Sequence, residues 1–471
     1  MKILLLQPLI PRKVLWGKYE KAEGFIPPIG LICIAAYLRE VGHEVIIKDT
    51  QAERMTEVDL LKYLKENEFR AVGMSTFTTS ISFVHYTAKL CKEALPNCKV
   101  ILGGVHATIL PEKTLLEYPE VDYLVLGEGE YRVEALLSYL EGRGKKLEDI
   151  DGLAYRKNGE IIIQHPVGLI ENLDILPLPA YDLIDMSRYI PQPTQYKVLP
   201  NYPLVIQRGC PYECSFCSAN IIHGRKVRSK SVNRVIEELE LLKERFGAKG
   251  VYFQDSTFIV NKNYIRQLLN KMIEKKLNLV WACNTRVNTV DEEILKLMKQ
   301  AGCWMITYGV ESGNQKSLNL MRKGVTVEQN ERAVKLTEAA GISSFCCYIL
   351  CLPGETYADA MSTVKFALKL KSTMAMFYLP VPFPGTELME ICKKDGGFRN
   401  GAKWEDYSGF DDGNPVYVNP LIGKEKMQEL INLAYRKYYT NPQIILQNAL
   451  SIRTFTDIKK YLAAFRAVFN I

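Results

Sequence analysis

The sequence predicts an α/β protein with two successive units built on parallel strands and a helical C-terminal region. Short apolar runs alternate with amphipathic stretches at helical spacing through most of the 471 residues, the β-α-β pattern typical of parallel sheets. The alternation is interrupted once by a hairpin and a proline-rich crossing, and it ends before a run of amphipathic helices. These observations predict domains at 1–145, 146–199 (a connector), 200–395 and 396–471.

The first domain is predicted to be a doubly wound, Rossmann-like sheet because strands and helices alternate regularly along it. Predicted strands are 3–6, 44–47, 71–74, 99–102 and 123–126, and predicted helices are 30–41, 58–66 and 82–94. Ligands on such sheets bind at the carboxyl ends of the strands. Small and hydroxyl residues follow these strands, where they allow close backbone approach and offer donors to polar groups such as a phosphate. Taken singly, each loop could equally be an ordinary turn.

The candidate ligand-binding residues of this domain share that position after a strand. They are Ser75, Thr76, Gly103, Gly104, Val105, His106, Gly127 and Glu128. The connector that follows is predicted to hold a β-hairpin, since Asn158-Gly159 is a favoured two-residue turn between apolar strands. Its proline-rich part is predicted to be extended and semi-rigid. We assign no chemistry to the connector.

Residues 200–395 repeat the alternation six times, which predicts a partial, open (β/α)6 barrel. Predicted strands are 203–206, 250–253, 279–283, 304–309, 343–350 and 374–379. Reactive groups of β/α barrels lie at the carboxyl ends of the strands. The polar candidates there are Asp255, Arg286, Glu311 and Ser312, each of which could instead form an ion pair or a helix cap. Tyr308, Tyr348 and Pro384 are candidates for the substrate side of a cavity, although strand aromatics more often belong to the core.

Three cysteines carry the most specific signal in the chain. Cys210, Cys214 and Cys217 have CxxxCxxC spacing and follow an apolar run and a glycine turn. A 4Fe-4S cluster normally takes four thiolates, so three together suggest a cluster with one iron open to a substrate or cofactor. The alternatives are buried thiols or a zinc site completed by His223, but three cysteines within eight residues is poor zinc spacing.

The cysteine string resembles the signature of the radical S-adenosylmethionine (SAM) superfamily, with Phe216 in its aromatic position. The resemblance implies that the three thiolates hold the cluster and that the amine and carboxylate of SAM chelate the open iron. One-electron reduction would then cleave SAM to a 5′-deoxyadenosyl radical. It further implies that Glu311 hydrogen-bonds the ribose or amine of SAM and that Arg286 faces the SAM carboxylate, which suits a guanidinium fork. Phe216, Asp255 and Ser312 complete the implied SAM site.

The N-terminal domain resembles the cobalamin-binding domain that precedes the barrel in many radical SAM enzymes. The likeness is carried by Pro27-Pro28-Ile29-Gly30-Leu31, Tyr37-Leu38 and Gly103-Gly104-Val105-His106. The DxHxxG string whose histidine ligates cobalt in mutases is absent, as it commonly is in radical SAM relatives. If cobalamin binds, the resemblance implies that its tail is held base-off between the sheet and its helices, with the cobalt facing the barrel. His106 could ligate cobalt, but a hydrogen bond to the corrin periphery or the backbone is favoured.

The order of the two domains resembles the class B radical SAM methyltransferases and the anaerobic magnesium-protoporphyrin ester cyclase. It implies methylation of an unactivated carbon: the radical removes a hydrogen atom, methylcobalamin delivers the methyl group, and a second SAM remethylates the cobalt. The alternatives are a non-methylating oxidative cyclase or rearrangement enzyme and a non-catalytic cluster or cobalamin sensor. A small-molecule or peptide substrate and an electron donor such as flavodoxin or ferredoxin are implied. The substrate, the lower ligand of cobalt and the oligomeric state stay open.

Composition limits the partners and the compartment. The net charge of +7 is spread out, and no basic run is interleaved with aromatics, so nucleic acid is not expected. The N-terminus is interrupted by Pro8 too soon for a signal peptide, and no apolar stretch reaches the roughly 18 residues of a membrane span. Twelve irregularly spaced cysteines favour the reducing cytoplasm. Helices are predicted over 424–439, 442–452 and 457–470, and the last two are expected to pack against the barrel mouth rather than a membrane surface.

Overall fold

The computed structural model describes residues 1–12, 14, 24–192, 194–408 and 414–451. The chain divides into two compact units. The first comprises Phe25–Tyr189, the N-terminal strand and Ser218–Arg228. The second comprises Ile190–Cys217 and the chain from Ser229 onward. The helix predicted over 457–470 lies outside the described residues.

A seven-stranded sheet forms the core of the first unit. Its strands are β1 (Lys2–Gln7), β2 (Glu44–Asp49), β3 (Ala71–Ser75), β4 (Lys99–Gly103), β5 (Tyr123–Val125), β6 (Leu153–Lys157) and β7 (Glu160–Ile163). The spatial order is β2-β1-β3-β4-β5-β6-β7, with β1 to β5 parallel. Parallel strands in the order 2-1-3-4-5 define a flavodoxin-like, doubly wound sheet. The predicted fold class is therefore confirmed for this unit.

Most helices of the first unit join the parallel strands of this sheet, and α1, for example, buries an apolar face made of Leu31, Ile32, Ala35, Ala36 and Leu38. They are α1 (Ile29–Glu40), α2 (Glu57–Lys65), α3 (Ile81–Ala94), α4 (Val105–Ile109), α5 (Pro111–Glu117), α6 (Glu130–Leu140) and α7 (Ala219–His223). The side chain of Thr56 caps α2 in a reciprocal capping box with Asp59, which satisfies backbone donors at the helix start.

The hairpin predicted in the connector forms, and its turn residues Asn158 and Gly159 both have positive φ (53° and 84°) as the favoured turn requires. It does not stand apart from the first sheet, however. β6 pairs antiparallel with β5, and β7 pairs with β6. The hairpin thus covers the edge of β5, which would otherwise expose unpaired backbone groups.

Six parallel strands form the sheet of the second unit. They are β8 (Asn201–Leu204), β11 (Gly250–Phe253), β12 (Val280–Thr285), β13 (Cys303–Glu311), β14 (Ser343–Ile349) and β15 (Met374–Tyr378), while β9 (Gln207–Arg208) and β10 (Arg228–Ser229) are two-residue strands outside this sheet. The spatial order follows the chain from β8 to β15, and every pairing is parallel. The predicted partial (β/α)6 barrel is confirmed.

Helices of the second unit alternate with these strands, and the last three follow β15. They are α8 (Val232–Glu244), α9 (Lys262–Glu274), α10 (Glu292–Gln300), α11 (Gln315–Leu320), α12 (Val327–Ala339), α13 (Tyr357–Leu370), α14 (Glu387–Lys394), α15 (Lys424–Tyr439) and α16 (Pro442–Ser451). The short helices α11 and α14 were not predicted, because one or two turns give too little periodicity to detect.

The C-terminal helix α15 covers the sheet edge at β15. The hydroxyl of Tyr439 donates to the Ala375 carbonyl (2.7 Å) and accepts from its N–H (3.3 Å). Tyr435 makes the same pair of bonds with Phe377 (3.1 and 3.2 Å). Edge strands leave alternate backbone groups without a strand partner, and these tyrosines satisfy them.

The next helix, α16, buries Ile444 and exposes Ile445 and Leu446. A membrane-surface role was the less favoured prediction for this region. Among the described helices, none has both the length and the apolarity needed to cross a bilayer.

Candidate functional site

The cysteine loop follows β8 in the second unit, as predicted. All three thiols are free, with Cys217 exposed and Cys210 and Cys214 partly buried. In the described part of the chain, no three His, Cys, Asp or Glu side chains converge as a ready metal site. The donor set nevertheless fits an iron–sulfur cluster, since these clusters are held by cysteine thiolates.

Ser215, inside the cysteine loop, ties that loop to the barrel. Its N–H donates to the Met321 carbonyl (2.9 Å), and its hydroxyl donates to the Leu320 carbonyl (3.2 Å). Its own carbonyl accepts from the N–H of Leu388 (2.8 Å). Ser215 is buried, so these bonds hold the loop from two sides. Sequence analysis missed this anchor, because a serine in a cysteine motif gives no pattern of its own.

Arg286, at the end of β12, lies against the cysteine loop. Its Nη1 is 3.2 Å from the Cys214 Sγ, and its Nη2 donates to the Lys323 carbonyl. The guanidinium carbon is 3.8 Å from the ring centroid of Tyr212, within the distance of a cation–π contact. The resemblance implied that Arg286 faces the SAM carboxylate; the structure places its guanidinium against the thiol of Cys214.

Glu311, at the end of β13, forms a buried ion pair with Lys323 (2.7 Å). The β13–β14 register shifts at this point, and Glu311 has a φ of 63°. A side chain at Gly309 would collide with both partners, so the pair needs a glycine there. The Lys323 ammonium also lies 5.7 Å from the ring centroid of Phe216. Lys323, which sequence analysis did not select, thus links Glu311, Phe216 and Arg286.

Asp255 and Ser312, both predicted at the SAM site, contact the protein scaffold. Asp255 Oδ1 accepts from the N–H groups of Ile206 (3.1 Å) and Gln207 (2.6 Å), just before the cysteine loop. Burial raises the pKa of Asp255 to about 7. The Ser312 hydroxyl bonds the hydroxyl of Thr363 (2.9 Å) and is fully buried. These two residues shape the backbone around the site.

Tyr308 and Tyr348, the candidates for the substrate side of a cavity, belong instead to the core, as strand aromatics more often do, and both contact the helical layer. The Tyr308 hydroxyl lies 2.8 Å from the Thr337 hydroxyl on α12. The Tyr348 ring stacks on Phe377 at 5.2 Å, beneath α15. Neither side chain is exposed. The third candidate, Pro384, is buried in the turn before α14.

The opposite face of the strands carries a different set of side chains. Tyr252, Ala282, Met305 and Phe345 form a buried cluster, and Trp304, Cys347, Met374 and Met376 pack on it while only partly buried. The Tyr252 hydroxyl donates to the Asn284 Oδ1 (2.9 Å). Side chains alternate between faces along a strand, so this set lies on the inner face if the tyrosines lie on the outer one. This alternation with a period of two residues is the sequence signal from which the inner-face side chains could have been predicted.

The strand-end candidates of the first unit fall into two groups. Ser75, Gly103, Gly104, Val105 and Gly127 are partly exposed, whereas Thr76, His106 and Glu128 are buried. Thr76 uses its N–H (2.8 Å) and hydroxyl (2.7 Å) to bind the Gly103 carbonyl, which joins the ends of β3 and β4. The exposed small residues at these strand ends fit the close approach of a bulky ligand such as a corrin.

His106 and Glu128 have internal contacts. The His106 ring is fully buried with Nδ1 3.3 Å from the Thr78 hydroxyl, and burial lowers its pKa to about 4, so the ring is neutral at pH 7. Glu128 accepts two bonds from the Arg228 guanidinium (2.8 and 2.9 Å) and one from the Ile170 N–H (2.8 Å). The Nδ1 atom of His223, named in the zinc alternative, is 3.2 Å from Glu128.

Replacing Gly104 with alanine is expected to destabilise the first unit more than the same change at Gly42. Both glycines have a left-handed backbone, with φ of 92° and 93°. A Cβ at Gly104 would lie 2.7 Å from Ser75 Oγ and 2.9 Å from the Thr76 backbone, whereas a Cβ at Gly42 would meet nothing within 4 Å.

Left-handed strain alone should cost G42A about 1–2 kcal/mol. In G104A, crowding of the added methyl group should lower the free energy of unfolding by about 1–3 kcal/mol more. Urea unfolding of the two variants measures the difference. Equal losses of unfolding free energy in the two variants would mean that the loop around Gly104 rearranges to accommodate the methyl group at no cost.

Two family models match the chain. A B12 binding domain model matches residues 19–137, and a radical SAM superfamily model matches residues 204–367. The cysteine motif lies inside the second match, and the strand-end candidates from Ser75 to Glu128 lie inside the first.

Relatives and solved structures match nearly the whole chain. It is 34% identical over 448 residues to an uncharacterized methyltransferase of Pyrococcus horikoshii, covering 95% of this chain and 94% of that protein. It is 27% identical to the anaerobic magnesium-protoporphyrin IX monomethyl ester cyclase of Rubrivivax gelatinosus, covering 88% and 74% of the two chains. The fold is similar to the radical SAM methyltransferase TsrM of Kitasatospora setae, solved with cobalamin and a 4Fe-4S cluster (TM-score 0.72, 19% identity, 94% and 89% covered).

Proposed function

Because the chain belongs to the family of radical SAM enzymes with an N-terminal cobalamin-binding domain, we propose that it methylates an unactivated carbon of its substrate, with SAM as the methyl source. The cofactors of this family are a 4Fe-4S cluster, SAM and cobalamin. The observation that carries the proposal is that Arg286 and Glu311, at the ends of the neighbouring strands β12 and β13, are joined through Lys323, and that Arg286 also reaches Cys214. Cluster-binding and SAM-binding chemistry then share one edge of the barrel.

Cys210, Cys214 and Cys217 would hold the cluster, and Ser215 would keep their loop in place. Glu311 would accept a hydrogen bond from the SAM amine or ribose, with its carboxylate oriented by Lys323. Phe216 lies beside the same lysine and would contact SAM through its ring. When bound, the cluster supplies the electron that cleaves SAM and cobalamin supplies the methyl carrier, so the polypeptide binds, orients and excludes water.

The partly exposed strand ends of the first unit would hold cobalamin. Ser75 offers a hydroxyl, and Gly103, Gly104 and Gly127 leave room for backbone contacts. Thr76 and the buried His106 would support these loops from beneath, His106 through its Nδ1 beside the Thr78 hydroxyl. The half-buried inner face near Cys347 and Met376 would receive the apolar part of the substrate.

Anaerobic incubation with SAM deuterated in its methyl group tests the proposal. The reconstituted protein is mixed with cobalamin and a chemical reductant, and 5′-deoxyadenosine and S-adenosylhomocysteine are quantified. We expect both products, with S-adenosylhomocysteine formed only when cobalamin is present and the label recovered on the extracted corrin. SAM that stays intact, or label that stays entirely on SAM, contradicts the proposal.

The likeness to the ester cyclase favours one second candidate, a radical SAM cyclase or rearrangement enzyme that does not methylate. The same incubation separates the two functions. The cyclase should release 5′-deoxyadenosine without S-adenosylhomocysteine, whereas the methyltransferase should release both.

The proposed reaction needs a source of electrons and a reducing compartment. All twelve cysteines are free thiols, which is compatible with a cytoplasmic protein. A small-molecule or peptide substrate and a low-potential donor such as flavodoxin or ferredoxin complete the proposal. Turnover driven by reduced flavodoxin, compared with dithionite, measures whether such a donor is competent.

A further inference from the structure

Arg286 is a buried cation whose charge is not balanced by a carboxylate. Only 6% of the residue is exposed. Its Nε lies 3.4 Å from the Asn288 Oδ1, and its Nη2 is bound to the Lys323 carbonyl, both neutral acceptors. Among the described residues, no Asp or Glu forms an ion pair with it. A buried charge without a partner costs free energy, so an anion bound next to Arg286 would be stabilised there.

The third nitrogen of the guanidinium, Nη1, faces the Cys214 thiol. Nη1 lies 3.2 Å from Sγ, a distance suited to an N–H···S hydrogen bond. The Tyr212 ring, from the same loop, stacks against the guanidinium with its centroid 3.8 Å from Cζ. Contacts on three sides thus fix the guanidinium toward this sulfur. The same cation is not free to serve as a simple clamp for a carboxylate.

We propose that Arg286 is a positioning residue that raises the reduction potential of the iron–sulfur cluster through Cys214. This rests on the proposed cluster at the three cysteines. Three thiolates give a cubane cluster an overall negative charge, and the one-electron reduction makes it more negative. A fixed cation that donates a hydrogen bond to a ligand sulfur stabilises the reduced form more than the oxidised form. The electron donor can then reduce the cluster at a higher potential.

The test is a redox titration of the reconstituted full-length protein without SAM, with the reduced cluster measured by electron paramagnetic resonance. R286M and R286Q both remove the charge, and R286Q keeps an amide donor for the Lys323 carbonyl. We expect each to lower the midpoint potential by about 59 mV or more, which is a tenfold change for a one-electron couple. R286K, which restores the charge, should recover at least half of the shift.

R322M is the matched control, because Arg322 is one residue from Lys323 but is exposed and pairs with Glu387. Its midpoint should equal that of the parent protein. An unchanged midpoint in R286M or R286Q at normal iron content overturns the inference, as does loss of the cluster from every Arg286 variant when R322M retains it. A tenfold loss of SAM affinity at unchanged potential would assign Arg286 to the SAM carboxylate instead. A parent protein that binds no cluster would refute the proposed function itself.

Discussion

Alanine at any one of Cys210, Cys214 and Cys217 is expected to abolish SAM cleavage. Two thiolates are too few to hold the cluster for which three are expected, and among the described residues no group of His, Cys, Asp or Glu side chains is arranged to hold a metal in their place. We expect 5′-deoxyadenosine formation to fall by at least about 10³-fold, equivalent to about 4 kcal/mol of activation free energy. Product chromatography after anaerobic incubation measures the loss.

Cys33 provides the control for this prediction. It is a partly buried thiol on α1 of the first unit, outside the cysteine loop. C33A should keep the iron content and the cleavage rate of the parent protein. If a loop variant such as C214A cleaved SAM at the parent rate, the cluster assignment would be wrong, and every function proposed above would fall with it.

Replacing Glu128 with glutamine is expected to destabilise the first unit by about 3–5 kcal/mol, the usual cost of breaking a buried ion pair by removing one partner. The Glu128 and Arg228 side chains are 0% and 1% exposed, so E128Q leaves a buried guanidinium without its counter-charge. The pair ties Ser218–Arg228, the segment after the cysteines, to the loop that follows β5. Hydrogen exchange of that segment, with urea unfolding of the full chain, measures the effect.

A neighbouring exposed pair supplies the comparison. Glu171 and Lys226 lie 2.5 Å apart, but their side chains are 61% and 69% exposed. E171Q should therefore cost no more than about 1 kcal/mol, as surface ion pairs do. The double variant E128L/R228M should recover part of the loss, because an apolar pair leaves no buried charge. Similar losses in E128Q and E171Q would show that burial does not govern this contact.

Patterns local in sequence predicted most of the secondary structure. The strand at Gly250–Phe253 and the helix at Lys424–Tyr439 begin and end at the predicted residues, because apolar periodicity and helix caps depend on neighbouring residues alone. The cysteine motif was equally local. Local patterns did not predict the directions in which Tyr308 and Tyr348 point, since a strand that is apolar on both faces does not indicate which face meets the helices.

The sequence by itself determined the two α/β units, the six parallel repeats and the position of the three thiols, since each is written in short runs of neighbouring residues. The tertiary structure alone decided the partners. It put Arg286 on Cys214, Lys323 on Glu311 and Arg228 on Glu128, across separations of 72, 12 and 100 residues. Charged side chains on distant loops pair according to how the backbone folds and which of them are buried together, and no local pattern carries that information.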